Sequence, residues 1–238
     1  MSTVSVHVLE KIDLLAECLP ETLENLAAGA WIESHKKGTS LAGKGFQNAQ
    51  KYNSTVYFVL KGIVDIYTAT GHGSKRVIFF FGENQFVSQN ILQTCDTIMY
   101  CDVIEDARFL CVKRENFVNA ALNDMGLMKS LLALYERRLW RMGHQLKNSA
   151  GRLYIERKIA AKLWKIARDF GTDTENGRVI GFDMTITLLS DCIGATRETT
   201  SRACNNLISK GLLVYQNQRF LIPRPKELAD FYKYNWKS

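Results

Sequence analysis

From Met125 to Leu146 apolar side chains recur in steps of 3, 4, 3, 4, 3, 4, at Met125, Met128, Leu132, Tyr135, Leu139, Met142 and Leu146. That alternation is the heptad period, and it commits the stretch to a helix presenting one continuous seam. A seam of this kind needs a partner. A second stripe, Leu127, Leu131 and Leu134, can turn toward the rest of the same chain, leaving the seam for a second copy of the protein. The expectation is a two-fold homodimer.

Upstream the pattern is different. Residues 12–29 read as helical, with Ile12, Leu15 and Leu19, then Leu23 and Leu26 across Pro20, and Gly29 as the stop. From Trp31 to about Val112, short β-branched and aromatic runs are separated by Gly, Asn and Asp at intervals of about ten residues, which is an antiparallel β pattern. The clearest runs are Thr55–Leu60, Ile63–Tyr67 and Arg76–Phe81, with turns expected at Gly62 and at Gly71-His72-Gly73. About eight strands in a roll or barrel are expected. Downstream of the seam, Asn148-Ser149-Ala150-Gly151 reads as a hinge, after which Ile155, Ile159, Leu163, Ile166 and Phe170 give a new helix one apolar face. The fold class is therefore α+β, with a β-roll domain over 1–114, a dimerisation helix over 115–148 and a third region over 149–238.

Charge distinguishes the two ends of the chain. From residue 150 onward there are 15 Lys and Arg against 9 Asp and Glu, a net of +6, out of +7 for the whole protein. A basic domain joined to a near-neutral one is the footprint of a protein that meets a polyanion with one half only. No apolar run approaches the ~20 residues of a spanning helix, and the start Met1–Val6 lacks a signal peptide's basic and apolar regions, so a cytoplasmic protein without membrane contact is expected. The six cysteines, Cys18, Cys95, Cys101, Cys111, Cys192 and Cys204, show no zinc-type spacing. They read as small buried apolar residues, with a redox role for Cys95, Cys101 and Cys111 as the rival. No metal site and no catalytic residues are assigned: nucleophile elbow, phosphate loop and zinc signature are all missing, which argues against an enzyme.

Residues 185–210 carry the functional signal. A helical turn at Leu188–Ile193, a break at Gly194 and a capping Thr196 that opens a second helix make two helices joined tightly. Leu189, Ile193, Ala203 and Leu207 can form the small core between them. Arg197, Glu198, Ser201 and Arg202 then fall on one face at the start of the second helix, flanked by Thr196 and Thr199. Such a helix suits the DNA major groove, where Arg forks onto guanine and Glu accepts from cytosine. Leu212–Tyr215, a turn at Gln216-Asn217-Gln218, and Arg219–Ile222 follow as a hairpin that reads as a wing. Lys210→Ala, at the far end of the helix, should weaken binding to all sequences alike if Lys210 meets only phosphate.

Gly194-x-x-Arg197-Glu198-Thr199-x-Ser201-Arg202, followed by Leu207 and Gly211-Leu212-Leu213, resembles the DNA-binding domain of the Crp/Fnr transcription regulators. Ile155–Ala160 through Phe170-Gly171 resembles the helix that opens that domain, and Tyr57–Gly62 with Gly82–Phe86 resembles the family's cyclic-nucleotide-binding-like jelly roll. The resemblance spans nearly all of residues 10–230. Ser190, Ala195 and Thr200 depart from it, where the family more often has Ala and larger apolar residues, and these changes loosen the motif's core. The resemblance implies a winged helix-turn-helix that reads an inverted repeat with a TTGA or GTGA core, through Glu198 and Arg202 above all. It leaves RNA polymerase and an unidentified small-molecule effector open as further partners.

The sensor half departs further. Where cyclic-nucleotide-binding relatives carry Gly-Glu and later Arg followed by Ser or Thr, this chain has Ser88-Gln89 and Thr97-Ile98, so the arginine that would hold a cyclic phosphate is missing. Cyclic AMP and GMP are not expected as effectors. An iron–sulfur cluster is not expected either, because the N-terminal region offers only Cys18. Haem stays open through His35, His72 or His144. The candidate effector pocket comprises Phe86, Ser88, Gln89, Thr97, Tyr100, Met128 and Tyr135, a lining suited to an apolar or aromatic compound. The rival function is a nonspecific nucleic-acid or RNA-binding module without an effector, suggested by the basic domain and the tail Phe231–Lys237, whose interleaved aromatics and lysines can stack on single-stranded bases.

Overall fold

The computed structural model describes residues 4–41, 51–69, 74–89, 91–92, 99–150 and 154–234. It divides into two compact units, Met1–Thr70 with Val77–Met142, and Gly71–Arg76 with Gly143–Ser238. Thr97, Ile98, Cys95 and the Gly71-His72-Gly73 turn lie outside the described residues.

In the first unit a short helix, α1 (Val6–Glu10), comes first, and the helix expected over 12–29 is instead a 3-10 turn at Asp13–Leu15 followed by α2 (Pro20–Ala28). Pro20 opens α2 rather than interrupting a helix, as suits a residue whose missing N–H is unneeded in the first turn. Four strands then form an antiparallel sheet: β1 (Ala30–His35), β2 (Thr55–Ala69), β3 (Lys75–Phe81) and β4 (Met99–Lys113), in the order β1-β4-β2-β3. About eight were expected. Part of the difference is that Thr55–Leu60 and Ile63–Tyr67 are one strand, not two. Gly62, expected at a turn, sits at φ +93° inside a bulge where the β2–β4 register shifts between Val59 and Val64. A side chain there would stand 2.7 Å from the Ala107 Cα, so only glycine lets β2 kink while staying paired.

β2 is covered on both faces, which explains its unbroken apolar run. Val56 and Phe58 join a core with α1, α2 and the first helix after the sheet; Tyr57 and Val59 join a second core inside the roll with Val64, Phe79, Phe81, Cys101 and Phe109. Phe58 meets Phe86 at 5.2 Å and Phe117 at 5.9 Å between ring centres, fastening the sheet to α3 (Arg114–Asn123). Asp124 breaks the helix. Its carboxylate accepts from the N–H groups of Gly126 (2.9 Å) and Leu127 (3.1 Å), capping the long helix α4 (Met125–Ala150), and from Leu19 N–H (2.8 Å) just before α2. The long helix continues through Asn148, Ser149 and Ala150, and the last residue of the expected hinge, Gly151, lies outside the described residues.

In the second unit α5 (Ile155–Phe170) buries Ile159, Ala160, Leu163, Ile166 and Ala167. The hairpin β5 (Gly171–Thr174) and β6 (Gly177–Ile180) was not anticipated, since Gly171-Thr172-Asp173-Thr174 is mostly exposed and has no alternating apolar pattern. These strands share a sheet with β7 (Val214–Gln216) and β8 (Arg219–Ile222), in the order β5-β6-β8-β7. Between them lie α6 (Ile186–Ile193) and α7 (Arg197–Ser209), and α8 (Pro225–Lys233) closes the unit.

Candidate nucleic-acid interface

α6 begins where Thr185 accepts the N–H of Leu188 at 3.0 Å and ends at Gly194, whose φ of +74° and ψ of +42° supply the left-handed turn between the two helices. Thr196 caps α7 by accepting the Thr199 N–H at 3.2 Å while donating to the Thr199 hydroxyl at 3.0 Å. Both threonines were expected to touch DNA. Their hydroxyls lie 3.0 Å apart, and both residues take part in the cap. Leu189, Ala203 and Leu207 are buried as expected, but Cys192 turns inward more fully than Ile193, which is only half-buried. Thr200 is fully buried with its hydroxyl lacking a partner, and buried Ser190 donates to the Thr187 carbonyl at 2.7 Å.

Arg197, Glu198 and Arg202 are exposed on the opening turns of α7 and Ser201 is half-exposed beside them. Asn205, which sequence reasoning passed over, continues this face at i+3 from Arg202 and is also exposed. The Glu198 carboxyl is held below the ordinary Glu range by its own backbone amide, the Thr196 hydroxyl, and the charges of Arg197 and Arg202. It is a ready acceptor at neutral pH. Lys210 is not the free cation expected: its ammonium lies 3.1 Å from Glu156 and 5.1 Å from the Phe231 ring centre. The wing turns at Asn217 and Gln218, both at positive φ, the pair of left-handed residues that a two-residue hairpin needs.

The first unit holds a cavity of about 210 Å³ between the β3 end of the roll and α4. Phe79, Phe81, Phe86 and Leu134 form its apolar walls and Arg137, Arg138 and Arg141 its cationic side. Of the pocket residues proposed from sequence, Phe86 lines it. Ser88 accepts the Tyr57 N–H at 3.0 Å, Gln89 donates to Val87 at 2.6 Å, and Tyr135 donates to the Gln89 carbonyl at 3.0 Å, so these three support the wall. Tyr100 does not line the cavity, because it stacks on Tyr67 at 5.3 Å across β2 and β4. Met128 packs on the core below.

Sequence reasoning missed Arg138. It is buried, donating to the carbonyls of Phe86 and of Ser88 (3.1 Å), with its guanidinium 5.0 Å from the Phe81 ring centre and 5.3 Å from that of Phe86. Burial pulls it down to about 10, against the opposing influence of Tyr135 and Tyr52. An arginine four positions from Leu134 on an amphipathic helix reads as solvent-facing, and no pattern in the helix itself marks it as buried.

Residues 157–231 match the family described as the Crp-like helix-turn-helix domain. The cAMP-activated CRP-like global transcriptional regulator of Mycobacterium tuberculosis is 22% identical over 177 residues, 73% of this chain and 78% of that protein. The family match gives the C-terminal part of the chain a Crp-like helix-turn-helix, and over most of its length the chain is similar to a regulator of this kind. Solved structures share its fold. FixK2 of Bradyrhizobium japonicum has 22% identity over 84% of this chain and 96% of that one, with a TM-score of 0.70; the c-di-GMP-responsive regulator CLP of Xanthomonas campestris has 17% identity over 86% and 99%, with a TM-score of 0.71. A helix-turn-helix of this type is a DNA-binding arrangement. Among the described residues no helix is long and apolar enough to cross a membrane, and no group of three or more His, Cys, Asp or Glu could hold a metal.

Two of the chemistries left open for the first unit meet unfavourable surroundings. Burial, with Asp124 adding to it, pushes the Cys18 thiol up to about 12, and burial does the same to Cys204; Cys111 is driven higher still, and Cys101 is fully buried. A thiol so raised is a poor redox group. His35 bonds Glu33 at 3.0 Å and packs edge-on to Phe109, away from the cavity, and His144 is exposed.

Proposed function

We propose that this chain is a transcription regulator of the Crp/Fnr type, acting in the cytoplasm as a homodimer that reads an inverted-repeat operator with a TTGA or GTGA core. The α6–α7 motif enters the major groove, and Arg197, Glu198, Ser201, Arg202 and Asn205 face the bases. Residues 1–114 sense a small molecule, 115–148 join the two copies, and 149–238 bind DNA, with RNA polymerase as the further partner. The observation that carries this reading is the opening of α7: two exposed arginines and an ionised glutamate on one face of a capped helix. Two-fold symmetry sets the half-site centres roughly 34 Å apart.

The rival reading as a nonspecific RNA-binding module draws on the C-terminal aromatics. Phe231 is buried and Tyr232 sits 5.9 Å from Trp164, so these rings are used in packing. Competition of a palindromic TTGA/GTGA duplex with random duplex and single-stranded RNA decides between them. Tighter binding to the palindrome supports the operator reading, and equal retention of all three sinks it.

A further inference from the structure

We infer that the cavity of the first unit is a binding site for a small organic carboxylate with a flat apolar body, held by Arg138. The inference rests on the reading of the β-roll as a sensor and supplies its ligand chemistry. A guanidinium has five N–H donors and does not lose its charge at physiological pH. Arg138 is 94% buried by its 6% exposure, yet only three donors are used, on the Phe86 carbonyl, the Ser88 carbonyl and, at 3.5 Å, the Gln89 side-chain oxygen. Its Nε has no partner. Two donors are left, the number a carboxylate takes in a fork.

All three of its acceptors are neutral, so among the described residues no acid compensates the buried charge. Leaving a buried cation without a counter-charge is costly, and a carboxylate arriving in the cavity supplies one. The electrostatics around it point the same way. Arg137 and Arg141 line the same cavity and the sole acid there, Asp13, is exposed. Tyr52, whose buried hydroxyl also lacks a partner, lies within reach of the Arg138 charge.

Phe79, Phe81 and Phe86 define the other end of the ligand. Their rings wall the cavity beside the guanidinium, so a body that fills the space must be apolar and is best flat. At about 210 Å³ the cavity is below the ~300–1,000 Å³ of sites for drug-sized ligands, which confines the occupant to a single ring or a short chain.

The test is calorimetric titration of the full-length protein with phenylacetate, benzoate and hexanoate, and with benzyl alcohol, benzylamine and cyclic AMP as comparisons. Saturable binding of at least one of the three carboxylates, at least tenfold tighter than of benzyl alcohol and with no binding of benzylamine, is expected. Arg138→Gln should lose that preference for the anion. Should Arg138→Gln not fold, Leu134→Trp fills the cavity from α4 without touching the guanidinium and should abolish binding with the fold intact. No saturable binding of any carboxylate up to millimolar concentration, equal binding of the alcohol, or tighter binding of cyclic AMP overturns the assignment. Operator binding is measured alongside. Carboxylate binding that leaves DNA affinity unchanged upholds the site and removes the sensor role, whereas specific DNA binding without carboxylate binding does the reverse.

Discussion

Lys210 donates to Glu156 at 3.1 Å, tying the C-terminal end of α7 to the first turn of α5, and Asn206 adds a second bond to the same carboxylate at 2.9 Å. Burdened with that pairing, Lys210 contributes little to phosphate binding. Lys210→Ala is expected to leave the salt dependence of DNA binding unchanged, where loss of a true phosphate contact reduces the slope by about one. Glu156→Ala should lower the stability of the second unit by about 1 kcal/mol, since it removes an exposed ion pair and one hydrogen bond together. Retardation assays over a salt series and denaturant melts measure the two effects.

Arg202 stands free on the outer face of α7, and its replacement addresses base reading directly. Arg202→Ala should cost roughly 1–3 kcal/mol on the palindromic duplex and relax preference mainly at one guanine. If random and palindromic duplexes weaken alike, Arg202 is a backbone contact and the base assignment goes to its neighbours.

Five of the seven seam residues are exposed on the long helix of the single chain; Leu132 and Leu139 are 59% and 68% exposed. Met128 and Tyr135 are partly turned to the roll. Leu132→Glu with Leu139→Glu should yield monomers by sedimentation velocity. A wild-type protein that is already monomeric at micromolar concentration would contradict the seam.

Asp124 is the acid-sensitive point of the first unit. Burial raises its carboxyl, but the Leu19 N–H, the Thr22 hydroxyl and the N–H groups of Leu127 and Gly126 outweigh that and hold it below the ordinary value of 3.8. A lowered folded value means stabilisation that is complete above 3.8 and is lost as pH falls through the folded value. Asp124→Ala should therefore cost about 1–2 kcal/mol at neutral pH. Asp124→Asn should flatten the acid limb of the stability curve below pH 3.8. An unchanged limb would move the acid sensitivity to another carboxylate.

Thr200 is a defect within the helix-turn-helix core. Its hydroxyl is buried without a partner, so Thr200→Val is expected to raise stability by about 1 kcal/mol or more, read as a higher melting temperature with DNA affinity retained. A lower melting temperature would show that the hydroxyl is satisfied in solution.

The helix-turn-helix was legible because its signals are local: a capping Thr196, a left-handed Gly194 and apolar positions on one face each act within a few residues. The long helix was legible from its period alone. Features that depend on contacts far apart in sequence were not. Gly62 reads as a turn until Ala107 is seen against it, and Tyr100 reads as a pocket residue until Tyr67 is found beneath it. Arg138 was hidden most fully, because a cation on an amphipathic helix is ordinarily solvated. Only the carbonyls of Phe86 and Ser88, some 50 residues earlier, reveal that it is enclosed.

The Asp124 cap also ties the long helix to the beginning of the chain. Leu19 bonds the cap, Val4, Leu9 and Ile12 are buried in the same core as Leu127, and a side chain at Gly126 would run into the Glu17 carbonyl. Clipping by a protease before Leu19, or a bulky fusion that displaces these residues, would therefore unsettle the first turn of the helix, where Met125 and Met128 stand.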